Sequence, residues 1–198
     1  MRKLAAMLTV ISLFLQFPVL AEDLGEIFKR ANDYASSGNY VKALEELKWA
    51  QNELNKKHSA KLQQFLPDTL GGMQAGKAEV SSALGITTVE RNYTGDNGIN
   101  VKASIIGGAN NALGGIAALG QSMAMLQGTP GQEAFRIDGK TAALKSDQDN
   151  KEAELTVFLG NGAMLKLEME GSSNGEKLKE IAKGIKLTDL DNYLKGAA

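Results

Sequence analysis

The chain has 198 residues, enough for one domain or two small ones, and its 22 basic and 23 acidic residues are interspersed and nearly cancel. With no basic stripe and only 6% aromatic residues, it lacks the electrostatic footprint and the stacking platforms of a nucleic-acid-binding protein. It has no cysteine, which removes disulfides, thiol chemistry and the acylated cysteine of a bacterial lipoprotein.

The first residues, MRKLAAMLTVISLFLQFPVLAED, place Arg2 and Lys3 before an apolar core from Leu4 to Phe17 and a Val19-Leu20-Ala21 cleavage pattern. This is the layout of a secretory signal peptide over residues 1–21. A retained anchor is the competing reading, because Leu4 to Leu20 is only slightly shorter than a membrane span, but Gln16 and Pro18 interrupt the run. Export without disulfides points to a bacterial periplasm, with no membrane span after cleavage. Without Arg2 and Lys3 there remain 20 basic and 23 acidic residues, a net charge of about −3.

From Glu22 to Leu66 the apolar residues recur at helical spacing. Leu24, Ile27, Phe28, Ala31, Tyr34 and Ala35 form one stripe; Tyr40, Ala43, Leu44, Leu47, Gln51 and Leu54 form another. Ser36-Ser37-Gly38-Asn39 separates them, so an antiparallel helical hairpin is expected over residues 22–66. The spacing of small and aromatic residues at Ala31, Tyr34, Gly38, Tyr40, Ala43, Leu47 and Ala50 resembles the middle of a tetratricopeptide repeat. Only one unit is visible, and Asn55 stands near the place of the family's proline. Such repeats need about three copies for a continuous core, so the hairpin is expected to bury its faces against something else.

The second helix is expected to continue through Leu54, His58, Leu62 and Phe65 until Leu66-Pro67 stops it. His58 is the only histidine and has no Cys, His or carboxylate companions at ligand spacing, so it reads as an amphipathic helix position. Trp49 lies opposite Tyr40 on the helical wheel and is expected to be covered, by the rest of the chain in preference to a partner.

Residues 67–85 collect Gly71, Gly72, Gly76 and Gly85, lose clear periodicity, and read as a connector. Beyond them, over residues 86–198, the period becomes two. Ile99, Val101, Ala103 and Ile105 alternate with polar residues, and TGDNGI links them back to a strand near Thr87 to Tyr93. Residues 103–132 carry no charge, and a helix of nearly apolar circumference is expected over residues 111–127. Phe135–Ile137 and Ala142–Lys145 flank Asp138-Gly139 as a hairpin. Ala153 to Leu159 and Ala163 to Met169 alternate around Asn161-Gly162, which predicts two strands and a two-residue turn. Ser173-x-x-Glu176 then forms a capping box before Leu178, Ile181, Ala182 and Ile185 on one helical stripe. The expected class is α+β, an antiparallel sheet covered by helices in an α/β sandwich. That element order, with RIDGKTAAL and EKLKEIAKGIKLTDLDNYL, resembles the PsbP/Mog1-like α/β domain over roughly residues 86–190. The resemblance implies a non-catalytic binding or assembly module and assigns no functional residue.

Catalytic constellations are missing. The glycines between Gly107 and Gly120 form neither GxGxxG nor GxxxxGK, so no phosphate cradle is expected. Asp147, Asp149, Asn150 and Glu152 resemble part of a calcium loop but lack its central glycine and distant glutamate, and read as a solvated hairpin tip. No GxSxG serine accompanies His58. The expectation is an exported, non-enzymatic binding or assembly factor with a protein partner and no metal or other cofactor. Trp49, Met123, Met125 and Leu126 are its candidate contacts. The alternatives are a carrier of a small apolar ligand held between the sheet and the 111–127 helix, and a carboxylate-based hydrolase.

Overall fold

The structure, a computed structural model, describes residues 23–83, 86–95, 98–108 and 132–196. The signal peptide of residues 1–21 and the uncharged helix of residues 111–127, with Met123, Met125 and Leu126, lie outside the described residues. The chain divides into two compact units with the boundary between Glu53 and Leu54.

The first unit is the helical hairpin. Helix α1 (Leu24–Ser36) starts at Asp23, whose Oδ1 accepts from the Gly25 N–H at 3.0 Å, and carries Glu26 in its first turn, where a negative charge suits the helix dipole. The chain leaves α1 through Gly38, whose φ of 78° is left-handed and suits a residue without Cβ. Asn39 Oδ1 then accepts from the Lys42 N–H at 3.3 Å and caps α2 (Tyr40–Gln63). The hairpin was expected to extend to residue 66, but α2 runs into the second unit, where Leu62 and Leu66 are buried in the core.

The second unit is built on one antiparallel sheet. Its described strands are β1 (Thr69–Leu70), β2 (Met73–Ala75), β3 (Glu79–Ala83), β4 (Ile86–Thr94), β5 (Asn100–Gly108), β6 (Gln132–Ile137), β7 (Lys140–Asp147), β8 (Glu152–Phe158) and β9 (Met164–Glu170). The order is β1-β2-β4-β5-β9-β8-β7-β6, with β3 also paired to β4. Helices α3 (Gly175–Ala182) and α4 (Leu187–Leu194) follow. This is the expected α+β class. Val89 and Tyr93, Val101 and Ile105, Leu155 and Val157, and Leu165 and Leu167 are buried in one core with Leu178 and Ile181 of α3 and Leu187 and Leu190 of α4. The alternate residues of the same strands, such as Lys102, Glu154, Lys166 and Glu168, are partly exposed.

Four local expectations are corrected. Residues 67–85 are not a plain connector: they carry β1, β2 and β3, of which the first two are too short to show a period. Arg91 on β4 holds this stretch, donating to the Gly76 carbonyl at 2.9 Å, the Leu66 carbonyl at 2.7 Å and Asp68 Oδ1 at 2.5 Å, while the Tyr93 hydroxyl donates to the Pro67 carbonyl at 2.9 Å. The loop between β8 and β9 has three residues, Gly160–Gly162, closed by the Leu159 N–H to Ala163 carbonyl bond at 2.9 Å; Asn161 and Gly162 both take positive φ. The capping residue of α3 is Asn174, whose Oδ1 accepts from the Lys177 N–H at 3.0 Å, and the expected single terminal helix is two. Asp138 and Gly139, both at positive φ, make the tight β6–β7 turn that the sequence predicts.

Helix α4 is fastened by a buried carboxylate. Asp191, 1% exposed, accepts from the Gly160 N–H at 2.6 Å through Oδ1, and through Oδ2 pairs with Lys140 at 2.6 Å and Lys195 at 2.7 Å. Burial pushes this carboxyl's pKa up, but the bonds from Lys140, Lys195 and Gly160 outweigh it and hold the pKa below the usual aspartate value. Replacing Asp191 by Ala leaves the Lys140 ammonium and the Gly160 N–H without their acceptor, and is expected to lower stability by about 3 kcal/mol. Because folding lowers this pKa, the stabilisation is present above the ordinary aspartate value of about 3.9 and fades as pH falls through the folded value. Urea unfolding between pH 2.5 and pH 7 should therefore show a steeper acid loss in the native chain than in Asp191→Ala.

Candidate functional site

Few side chains of the hairpin are buried, and most of those that are buried are small. Ile27 and Ala31 of α1 and Ala43 and Ala50 of α2 are the buried apolar residues of the first unit. On one side of this seam Arg30 reaches across to Glu46, with Nε and Nη2 at 3.0 and 2.8 Å from Oε2. At 100° per residue on two antiparallel helices, Phe28 of α1 and Tyr40, Leu44 and Leu47 of α2 lie on the other side. All four are exposed, by 45 to 68%, and Val41 beyond them by 70%.

Six of the eight exposed large apolar side chains among the described residues belong to this short unit, which singles it out as the unit with unsatisfied apolar surface. Trp49 is one of them, 59% exposed, on the Glu46 side of α2 and away from the Phe28–Leu44 group. Nothing within the hairpin covers it. The structure thus does not bring Trp49 together with the open side. Sequence reasoning named Phe28, Tyr40, Leu44 and Leu47 as stripe residues without marking them as a site. The available signal was the width of the α2 stripe, which exceeds what one partner helix can cover.

A second concave region lies on the polar face of the sheet, a cavity of about 570 Å³ whose lining includes Asn92, Asn100, Lys102, Lys145, Glu154 and Glu168. Its centre is a charge lattice: Lys102 pairs with Glu168 at 2.6 Å, and Lys166 pairs with Glu168 at 2.7 Å and Glu154 at 3.2 Å. Burial pushes the Glu168 carboxyl up, while the bonds from Lys102 and Lys166 more than reverse it and leave its pKa lowered. At one end Asp147, Glu152 and Glu170 sit directly opposite one another on β7, β8 and β9. At the other end Ile106, Met164 and Phe158 form an apolar row across β5, β9 and β8, with Phe158 buried. Asp147 is tied up by Asn150, which donates its backbone N–H and side-chain amide at 3.0 Å each. Among the described residues no group of three or more His, Asp or Glu side chains is arranged to hold a metal ion.

His58 is an element of packing. Its Nδ1 lies 2.8 Å from the Tyr193 hydroxyl, the two rings stack at 5.5 Å between centroids, and Phe65 leans on the same tyrosine. Burial lowers the His58 pKa and raises that of Tyr193, so it favours the neutral form of both, and which of the two donates depends on the imidazole tautomer. Protonation of the imidazole would place a charge in this partly buried contact.

Since folding depresses the His58 pKa, its contribution is complete above the ordinary histidine value of about 6.5 and is lost as pH falls toward the folded value. Stability measured by urea unfolding should drop between pH 7 and pH 5 in the native chain, and His58→Gln should flatten that slope. Tyr193→Phe, which removes the hydrogen bond but keeps the ring, is expected to cost about 1 kcal/mol at pH 7.5. No protein-family model matches the chain, and no curated protein matches it as a relative.

Proposed function

We propose that the protein is an exported, non-catalytic binding or assembly factor that holds a protein partner through the open side of its helical hairpin. The observation that carries this reading is the group Phe28, Tyr40, Leu44 and Leu47, left outside a seam of small residues. Contiguous apolar surface of this kind costs solvation free energy when wet and is the usual mark of a contact surface. The resemblance of the hairpin to a tetratricopeptide unit supports the same reading, because units of that family cover one another's helices and a single unit has no neighbour to do so. The signal-peptide pattern supports the periplasm as its place, and the PsbP/Mog1-like order supports a non-enzymatic module.

A photoreactive residue placed at Leu44 in cells is expected to give a discrete protein adduct, whereas the same residue at Asn150, on the tip of the β7–β8 hairpin in the second unit, is expected to give none. Adducts at position 150 with none at position 44 would move the contact to the sheet unit and remove the hairpin from the assignment.

The row Ile106, Met164 and Phe158 favours a second reading, a carrier of a small apolar ligand, because it places apolar side chains on the otherwise polar sheet face where β5 ends at Gly108. Native mass spectrometry of protein purified without detergent is expected, on this reading, to show one co-purifying mass that Phe158→Ser abolishes. A clean mass of the chain alone in repeated preparations contradicts it.

A further inference from the structure

The open side of the hairpin has a definite size. Five side chains, Phe28, Tyr40, Val41, Leu44 and Leu47, are exposed by 45 to 70%. At about 150–250 Å² for an aromatic side chain and less for valine or leucine, they leave on the order of 500 Å² of apolar surface open. A standard interface removes about 800 Å² from each partner, and homodimer interfaces are about 65% apolar, which is again on the order of 500 Å². The patch therefore matches one protomer's share of a symmetric dimer, and it is at the upper end of what a monomer leaves bare.

The side chains also complement themselves. A two-fold axis running past Leu44 sets α2 antiparallel to α2 of the second copy, so that residues equally far before and after Leu44 come opposite one another. Leu44 then meets its own equivalent, and Val41 meets Leu47. Tyr40 falls opposite Lys48, an ammonium facing an aromatic ring. The two nearest carboxylates do not oppose each other in this register: Glu46 is turned to the far side of the seam by Arg30, and Glu45 comes opposite Ala43. No like charges meet at the centre. Antiparallel helices packed through such a stripe form a four-helix arrangement with α1 of each copy outside, the geometry of ordinary helix bundles.

We propose that the open side of the hairpin is occupied by a second copy of this chain, α2 against α2 about Leu44, so that the protein works as a two-fold dimer. This rests on the reading of the open side as a contact surface and names the occupant.

The absence of cysteine from the native chain makes the test clean, because any introduced thiol is the only one. In Leu44→Cys, a short bifunctional maleimide is expected to link most of the purified full-length protein into covalent dimers. Glu53→Cys, nine residues along α2 and off the two-fold, is expected to give several-fold less. Sedimentation equilibrium of the native chain is expected to show twice the chain mass, and Leu44→Glu the single mass with an unchanged circular dichroism spectrum. A native chain that is monomeric throughout the micromolar range overturns the dimer; if Leu44 in cells still links to a different protein, the contact surface survives with another occupant. A monomer whose Leu44 links to nothing, or only within its own chain, overturns both. A dimer that persists in Leu44→Glu overturns the proposed interface.

Discussion

A pair of helices has one seam, and the residues that fill it decide what every other face of the pair must do. Here the buried positions are Ile27, Ala31, Ala43 and Ala50, three of them alanines. Phe28, Tyr40, Leu44 and Leu47 stand outside that set and are exposed. The Arg30–Glu46 bridge lies on the opposite side, so all four gather on the one side without a charge across it. The apolar surface of the hairpin is thus what its few, small buried positions leave outside.

The sheet unit meets the same requirement differently. Its longer strands largely alternate, as in β9, and one set of alternate residues is buried in a core with α3, α4 and the end of α2. The other set satisfies itself across strands, through Lys102, Glu168, Lys166 and Glu154, whose pairing in a half-exposed setting contributes modestly to stability but keeps the face soluble. Buried polar side chains among the described residues all have partners, Asp191 most completely. Among the described residues the sheet unit buries most of its large apolar side chains, while the hairpin unit keeps six of them exposed. The functional reading follows from this contrast.

Periodicity made much of this legible from the sequence. The alternations from Ala153 to Leu159 and Ala163 to Met169, the Asp138-Gly139 turn and the two helical stripes each appear where their spacing places them. The stretch from Pro67 to Gly85 was not legible, because strands of two and three residues between Gly71, Gly72 and Gly76 have no room to repeat a pattern, and they are held by Arg91 and Tyr93 from a distant strand. Choices between adjacent residues were equally beyond it: Ser173 and Asn174 are both good caps, and only the backbone decides for Asn174. At the candidate site, spacing identified the stripe of α2 but could not show that its seam stops at the alanines. Trp49, the aromatic residue that the sequence singled out, stands on the other side of α2 and is also exposed.

The account stands on the open side of the hairpin being covered by protein when the chain is at work. Hydroxyl-radical footprinting of Phe28, Tyr40 and Leu44 compares that surface in intact cells with the same surface in the purified chain diluted to nanomolar concentration. The account predicts that the three side chains are protected in cells and become reactive on dilution, while Trp49 and Val80 serve as exposed references. Equal reactivity of Phe28, Tyr40 and Leu44 in both settings would contradict it.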